Sequence, residues 1–277
     1  MTRRRGWRWA GALGIVAAFA TVAGWQSGVV RVGDTPTTQA ASATSTAVPT
    51  TTVTATTADT SRGRVSTTKS RGVVLEIGDS LGIDLSWGLS ADLAQAGDSF
   101  VNETVGDTGL AEPGYFNWPA HLAADLARYH PDVVIVFLGA NDVESYYTGG
   151  AFEQFGTAAW ASVYGERVAE IMESATAAGA RVLWVGVPVM SRPTFSNEIA
   201  RINTVFQAQA AAHPGVVYFP SWGVLAGPER QYEAWAPTPQ GGTVVLRDPD
   251  GIHLTAGGAG VLAGAVLARL RSLGWLR

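Results

Sequence analysis

The 277-residue chain contains no cysteine. Disulfides, a cysteine nucleophile and thiolate metal sites are therefore excluded, and stability must come from packing. Lysine is almost absent as well: Lys69 is the only one, so the folded portion beyond it carries positive charge on arginine and histidine alone. Charge of either sign is sparse, at 15% of residues, and it is unevenly placed. Residues 1–70 hold eight Lys/Arg against two Asp, whereas residues 71–277 hold eleven Arg against twenty-one acids. A nucleic-acid surface needs clustered positive charge, and this acidic portion offers none, so nucleic acid is excluded as a partner class. Apolar residues are plentiful at 47%, enough for one sizeable domain with its own core.

The N-terminal residues read as an address. Arg3, Arg4, Arg5 and Arg8 precede an uncharged stretch, residues 9–30, that is long enough to span a bilayer as a helix. Positive charge on the short leading segment keeps residues 1–8 cytoplasmic and sends the rest outward. Two readings compete: a retained signal anchor, giving a single-pass membrane protein, or a cleaved signal peptide, giving a secreted one. The nearest small-x-small site, Ala41-Ser42-Ala43, lies roughly ten residues beyond the apolar run, which favours the anchor. Residues 31–70 are about half Thr and Ser. Such a segment buries too little apolar surface to offset its ordering entropy, so it is expected to be a disordered tether. The folded domain is expected over 71–277.

From residue 71 onward short apolar runs alternate with helical patterns. Strands are expected at 73–77, 100–105, 133–138, 182–187 and 216–219. The run at 133–138 is six apolar residues in a row, the pattern of a parallel strand covered on both faces. Helices are expected through Leu85, Leu89 and Leu93, then at 119–129, 164–178, 198–212 and 256–273, with 220–251 irregular. Alternating β and α units predict an α/β fold, a three-layer α/β/α sandwich around a five-stranded parallel sheet. In such sheets chemistry sits beyond the carboxyl ends of the strands.

Four short blocks fall there or could fold over the same edge: Gly78-Asp79-Ser80-Leu81, Gly106-Asp107-Thr108-Gly109, Gly139-Ala140-Asn141-Asp142 and Asp250-Gly251-Ile252-His253. In order and position these blocks resemble the SGNH (GDSL) hydrolase superfamily, with its flavodoxin-like sheet. The Tyr115-Phe116-Asn117-Trp118-Pro119 and Trp184-Val185-Gly186-Val187-Pro188 runs are similar to a bacterial envelope branch without a settled activity. The resemblance implies Ser80 as nucleophile and Asp250 and His253 as the other triad members. It implies an oxyanion hole from Ser80, Gly106 and Asn141, with Gly109 as an alternative donor to Gly106. It implies no cofactor and no metal.

The physical logic runs parallel to the resemblance. A serine hydroxyl is a poor nucleophile until a base takes its proton, and histidine suits that task near neutral pH. The imidazole needs an acceptor on its other nitrogen, which Asp250 can supply from three residues upstream. Each residue also has a plainer reading. Ser80 could cap the following helix, Asn141 could be a turn residue, and Asp79 and Asp142 read as loop-holding acceptors. His121, His130 and His213 read as surface or capping residues. Glu76, inside a buried strand, is expected to seek an arginine partner. The tryptophans read mostly as core, with Trp118 and Trp222 placed to border the site. The expected activity is ester hydrolysis on O-acyl groups of cell-envelope glycans or on small esters. An O-acyltransferase using the same acyl-serine is the alternative, and a non-catalytic glycan-binding protein comes third.

Overall fold

The computed structural model describes residues 72–276. The basic segment 1–8, the apolar stretch 9–30 and the Thr/Ser-rich segment 31–70 lie outside the described residues. Among the described residues no helix is long and apolar enough to cross a membrane.

The central sheet has five parallel strands: β1 (Val73–Gly78), β2 (Ser99–Asn102), β3 (Val133–Phe137), β6 (Arg181–Val185) and β7 (Val216–Phe219), in the order β2-β1-β3-β6-β7. Two short antiparallel ribbons stand apart from it, β4 (Tyr146–Thr148) with β5 (Ala151–Glu153) and β8 (Trp235–Pro237) with β9 (Thr243–Val245). Every residue of β3 is buried, as a parallel strand covered on both faces requires. The helices complete three layers. Helix α1 (Ser80–Ala96) packs on α6 (Ala256–Ser272), while α2 (Trp118–Tyr129), α3 (Ala158–Ala177) and α4 (Pro193–Ala212) form a consecutive row. The short α5 (Trp222–Leu225) packs on α6.

Helix α1 shows how the sequence sets a layer. Leu81, Leu85, Leu89 and Leu93 repeat every four residues, share one face and are fully buried. Each contributes roughly 1.5–3 kcal/mol relative to an exposed position. The chain leaves β1 toward β2 on one side and later returns to place β3 on the other. The crevice between β1 and β3 is therefore the point where the strand order reverses, and there ligands bind in open α/β sheets.

Several boundaries differ from the sequence expectation for local reasons. Strand β2 stops at Asn102, because the Asn102 Oδ1 accepts from Thr104 N at 3.0 Å and Thr104 Oγ1 at 2.7 Å and turns the chain. Helix α3 begins at Ala158, six residues early, where the Thr157 hydroxyl caps Trp160 N. Helix α4 begins at Pro193, which occupies the first turn, where its missing N–H costs nothing. The segment at 220–251 is not wholly irregular, since it contains α5 and the β8–β9 ribbon.

Candidate active site

Ser80 is the first residue of α1, directly after β1. It does not cap the helix. That role falls to Asp79, whose Oδ1 accepts from Leu81 N at 2.9 Å. The Asp79 Oδ2 accepts from Gly139 N at 2.9 Å and Ala140 N at 3.3 Å, so one carboxylate ties the turn after β1 to the turn after β3. Complete burial pushes its pKa up to about 7, against the opposing pull of those three N–H groups. Asp142 performs a similar task one loop over: its carboxylate accepts from Ala111 N at 2.8 Å and from the Tyr164 hydroxyl at 2.5 Å.

His253 comes from a tight turn before α6. The Asp250 Oδ1 accepts from Ile252 N at 2.8 Å and His253 N at 3.0 Å. Gly251 N–H donates to Asp248 O at 2.9 Å. Gly251 has φ +72°, and a Cβ there would lie 1.9 Å from Ser191 Oγ, so only glycine fits. The turn aims the imidazole between two partners: Nδ1 lies 2.6 Å from Asp250 Oδ2 and Nε2 lies 2.9 Å from Ser80 Oγ. An ionised Asp250 can only accept, so the neutral ring carries its proton on Nδ1 and leaves Nε2 free to accept from Ser80. Partial burial alone would lower the His253 pKa. The Asp250 carboxylate outweighs that, with Asp84 and Asp79 behind it, and raises the pKa above the ordinary histidine value. Burial pushes Asp250 upward, but its bonds to His253 and to the Ile252 and His253 N–H groups hold it below the usual aspartate value.

Two residues that the sequence reading passed over support this turn. Asp84 lies one helical turn after Ser80, is buried, and its Oδ2 accepts from Leu254 N at 2.8 Å. Arg247 is 2% exposed, donating to Ile252 O at 2.8 Å and also to Val189 O. Burial drags the Arg247 guanidinium down to about 10. The i, i+4 spacing of Ser80 and Asp84 was a usable signal; nothing local marks Arg247.

Asn141 lies exposed in a single turn of 3₁₀ helix, Ala140–Asp142, after β3. Its Nδ2 donates to Thr108 O at 2.9 Å, which leaves a second N–H available. Gly106 lies past the end of β2, where Val105 N–H donates to Gly78 O at 2.8 Å and keeps the loop beside β1. Only Ile83 Cδ1, at 3.6 Å, approaches the place where a Gly106 Cβ would be, so that face of the loop is open. Gly109, the alternative donor, has a packing role: a Cβ there would lie 2.1 Å from Asp142 Oδ1.

Three sequence expectations need correction. Trp118 does not border the site; it is fully buried, and its Nε1 donates to Thr108 Oγ1 at 3.2 Å. Trp222 lines an open groove with Tyr218, Pro220 and Arg230, a groove that includes no triad or oxyanion residue. Glu76 has no arginine partner: it is fully buried, neither oxygen is hydrogen-bonded, and desolvation raises its pKa well above the ordinary glutamate value. Its neighbours across the sheet are Asn102 and Ile135, so no cation comes alongside on β2 or β3. His121 is not a plain surface residue, since it packs against Phe116, Trp118 and Asp125. His130 and His213 do stand at helix C-termini.

A family described as a protein of unknown function (DUF459) matches residues 73–269. No curated protein matches the sequence. Solved structures that resemble the fold include a lipopolysaccharide acetyltransferase periplasmic domain from Salmonella ser. Paratyphi A, at TM-score 0.53 and 16% identity over 73% of this chain and 84% of that one. A GDSL-like lipase from Bacteroides thetaiotaomicron gives TM-score 0.52 and 16% identity, over 73% and 89% of the two chains. TesA gives TM-score 0.50 and 24% identity, over 73% and 99%. At these identities the likeness concerns the fold. The chain therefore belongs to the DUF459 family, and its domain has the SGNH hydrolase fold.

Proposed function

We propose that this protein is a serine ester hydrolase that works through an acyl-Ser80 intermediate. The observation that carries the reading is the hydrogen-bonded row Asp250–His253–Ser80, at 2.6 and 2.9 Å, on the sheet edge where the strand order reverses. His253 Nε2 takes the Ser80 proton as Oγ attacks the ester carbonyl. The tetrahedral oxyanion is received by the Ser80 and Gly106 N–H groups and the free N–H of Asn141, each donor being worth roughly 2.7–4 kcal/mol in comparable sites. His253 then gives the proton to the departing alcohol, and water, deprotonated by the same imidazole, releases the acid. Asp250 holds the tautomer and stabilises the imidazolium.

The substrate class is O-acyl esters of cell-envelope glycans or small esters, met outside the cytoplasmic membrane. The Arg-led apolar stretch 9–30 and the Thr/Ser-rich segment after it support that location. Reporter fusions at Ser70 test it, and activity of a cytoplasm-dependent reporter there would refute it. A second reading, transfer of the acyl group to a sugar hydroxyl in place of water, draws support from the fold shared with the acetyltransferase periplasmic domain. The deciding experiment for the chemistry is fluorophosphonate labelling with p-nitrophenyl acetate turnover. Wild type is expected to label and turn over, and Ser80→Ala to do neither while keeping its circular dichroism spectrum. Labelling that survives in Ser80→Ala overturns the nucleophile assignment.

A further inference from the structure

Away from the serine, three ligand-type side chains converge where β2 ends against α2. His121 and Asp125 are one turn apart on α2, and Glu103 is the residue after β2. One donor atom from each lies within 4.8 Å of the other two, the one such group among the described residues. His121 Nε2 and Asp125 Oδ2 are 3.5 Å apart, and no hydrogen bond joins them. Both atoms are shut off from solvent and have no hydrogen-bond partner, and the Asp125 side chain is only 9% exposed. Protonated, His121 would pair with Asp125 as an i, i+4 ion pair; with a neutral ring the two atoms face each other with no hydrogen-bond partner, which is costly in a merely structural cluster. The remaining neighbours do not relieve them: the Tyr129 hydroxyl donates to Glu103, and the Arg128 guanidinium sits over the Tyr129 ring at 4.9 Å.

We propose that His121, Asp125 and Glu103 form a binding site for one divalent first-row transition metal ion, of which zinc is the reference. Zinc bonds of about 2.0–2.2 Å in tetrahedral geometry set neighbouring donors about 3.4 Å apart, which the His121–Asp125 pair already matches. Glu103 offers a carboxylate oxygen within 4.8 Å of the other two donors, and its side chain would have to move to close the remaining distance. Three protein ligands leave a fourth position for water. The imidazole selects against magnesium and calcium, which prefer all-oxygen sites. Tyr129 fixes the Glu103 carboxylate in the way outer partners of metal ligands do. The ion would clamp the end of β2 to α2 beside the loop that carries Gly106, because Trp118 both touches the His121 ring and donates to Thr108.

The test uses untagged full-length protein stripped with a chelator and titrated with Zn²⁺, with Mg²⁺ as control. The expected result is one Zn²⁺ bound per chain, a Tm raised by Zn²⁺ and not by Mg²⁺, and visible ligand-field absorption on Co²⁺ substitution. His121→Gln and Asp125→Asn should each weaken Zn²⁺ binding by at least ~100-fold, more than the loss of an outer partner costs. His253→Gln should keep it, which separates this site from the serine centre. Should Asp125→Asn fail to fold by circular dichroism, Glu103→Gln on the half-buried side carries the comparison. No saturable binding below about 1 mM, or binding that persists in both His121→Gln and the second variant, overturns the proposal.

Discussion

Replacing Asn141 by alanine separates an oxyanion donor from a loop tie, because the side chain has one N–H for each task. The first N–H donates to Thr108 O at 2.9 Å in a partly buried setting. Losing that bond should cost roughly 0.5–1.5 kcal/mol of stability. For a domain of this size each kcal/mol moves Tm by about 2–4 °C, so a drop of about 1–6 °C is expected. The second N–H is free to meet the oxyanion, and its loss should lower kcat by about 10²–10³. Asn141 makes no hydrogen bond to His253, whose ring bonds only Asp250 and Ser80, so the acid midpoint of kcat/KM should not move. The assay is p-nitrophenyl acetate turnover from pH 5 to 9 beside a thermal melt. A variant that melts lower yet keeps kcat within tenfold would refute the oxyanion role and leave Asn141 a loop tie. A displaced midpoint would refute the separation between donor and base.

The base should respond differently. His253 must be neutral to accept a proton, and its pKa stands above the ordinary value, so activity should fall as pH drops through a midpoint above about 6.5. Asp250→Asn should lower kcat by about 10⁴ and shift or abolish that limb; an unchanged pH profile would count against the assignment. Asp84→Ala removes both a charge near His253 and the acceptor for Leu254 N, so the midpoint should fall and stability drop by roughly 1–3 kcal/mol. Asp84→Asn keeps an acceptor, so it should reproduce the midpoint shift with a smaller loss of Tm. Glu76 has a raised folded-state pKa, so it opposes folding increasingly as pH rises above its unfolded value. Glu76→Met should therefore stabilise by roughly 1–3 kcal/mol, with a larger gain at pH 8 than at pH 5 in paired melts.

Much of this fold is written in local patterns. The all-apolar run at 133–138 and the four-residue leucine repeat of α1 report burial directly, since covering both faces or one stripe leaves a one-dimensional trace. The placement of Ser80, Asn141 and His253 at one edge follows from strand ends and the block order. What stayed hidden depends on contacts far apart in the chain. Arg247 looks like any loop arginine until Val189, 58 residues away, supplies its carbonyl. Trp118 sits in a segment that reads as a site loop, yet its ring is buried against Phe116 and His121 and its Nε1 donates to Thr108, ten residues upstream. The two ribbons have strands of three residues each, too short for alternation to register.

The hydrogen bond between Ser80 and His253 joins residues 173 positions apart, and the helices that follow them, α1 and α6, pack side by side. Closing so long a loop carries an entropy cost that grows with the sequence separation. In the proposed mechanism, a chain still emerging from the ribosome has Ser80, its nucleophile, long before it has His253, its base. In that mechanism, turnover by a preparation therefore reports the fraction of chains in which α1 and α6 are docked on each other.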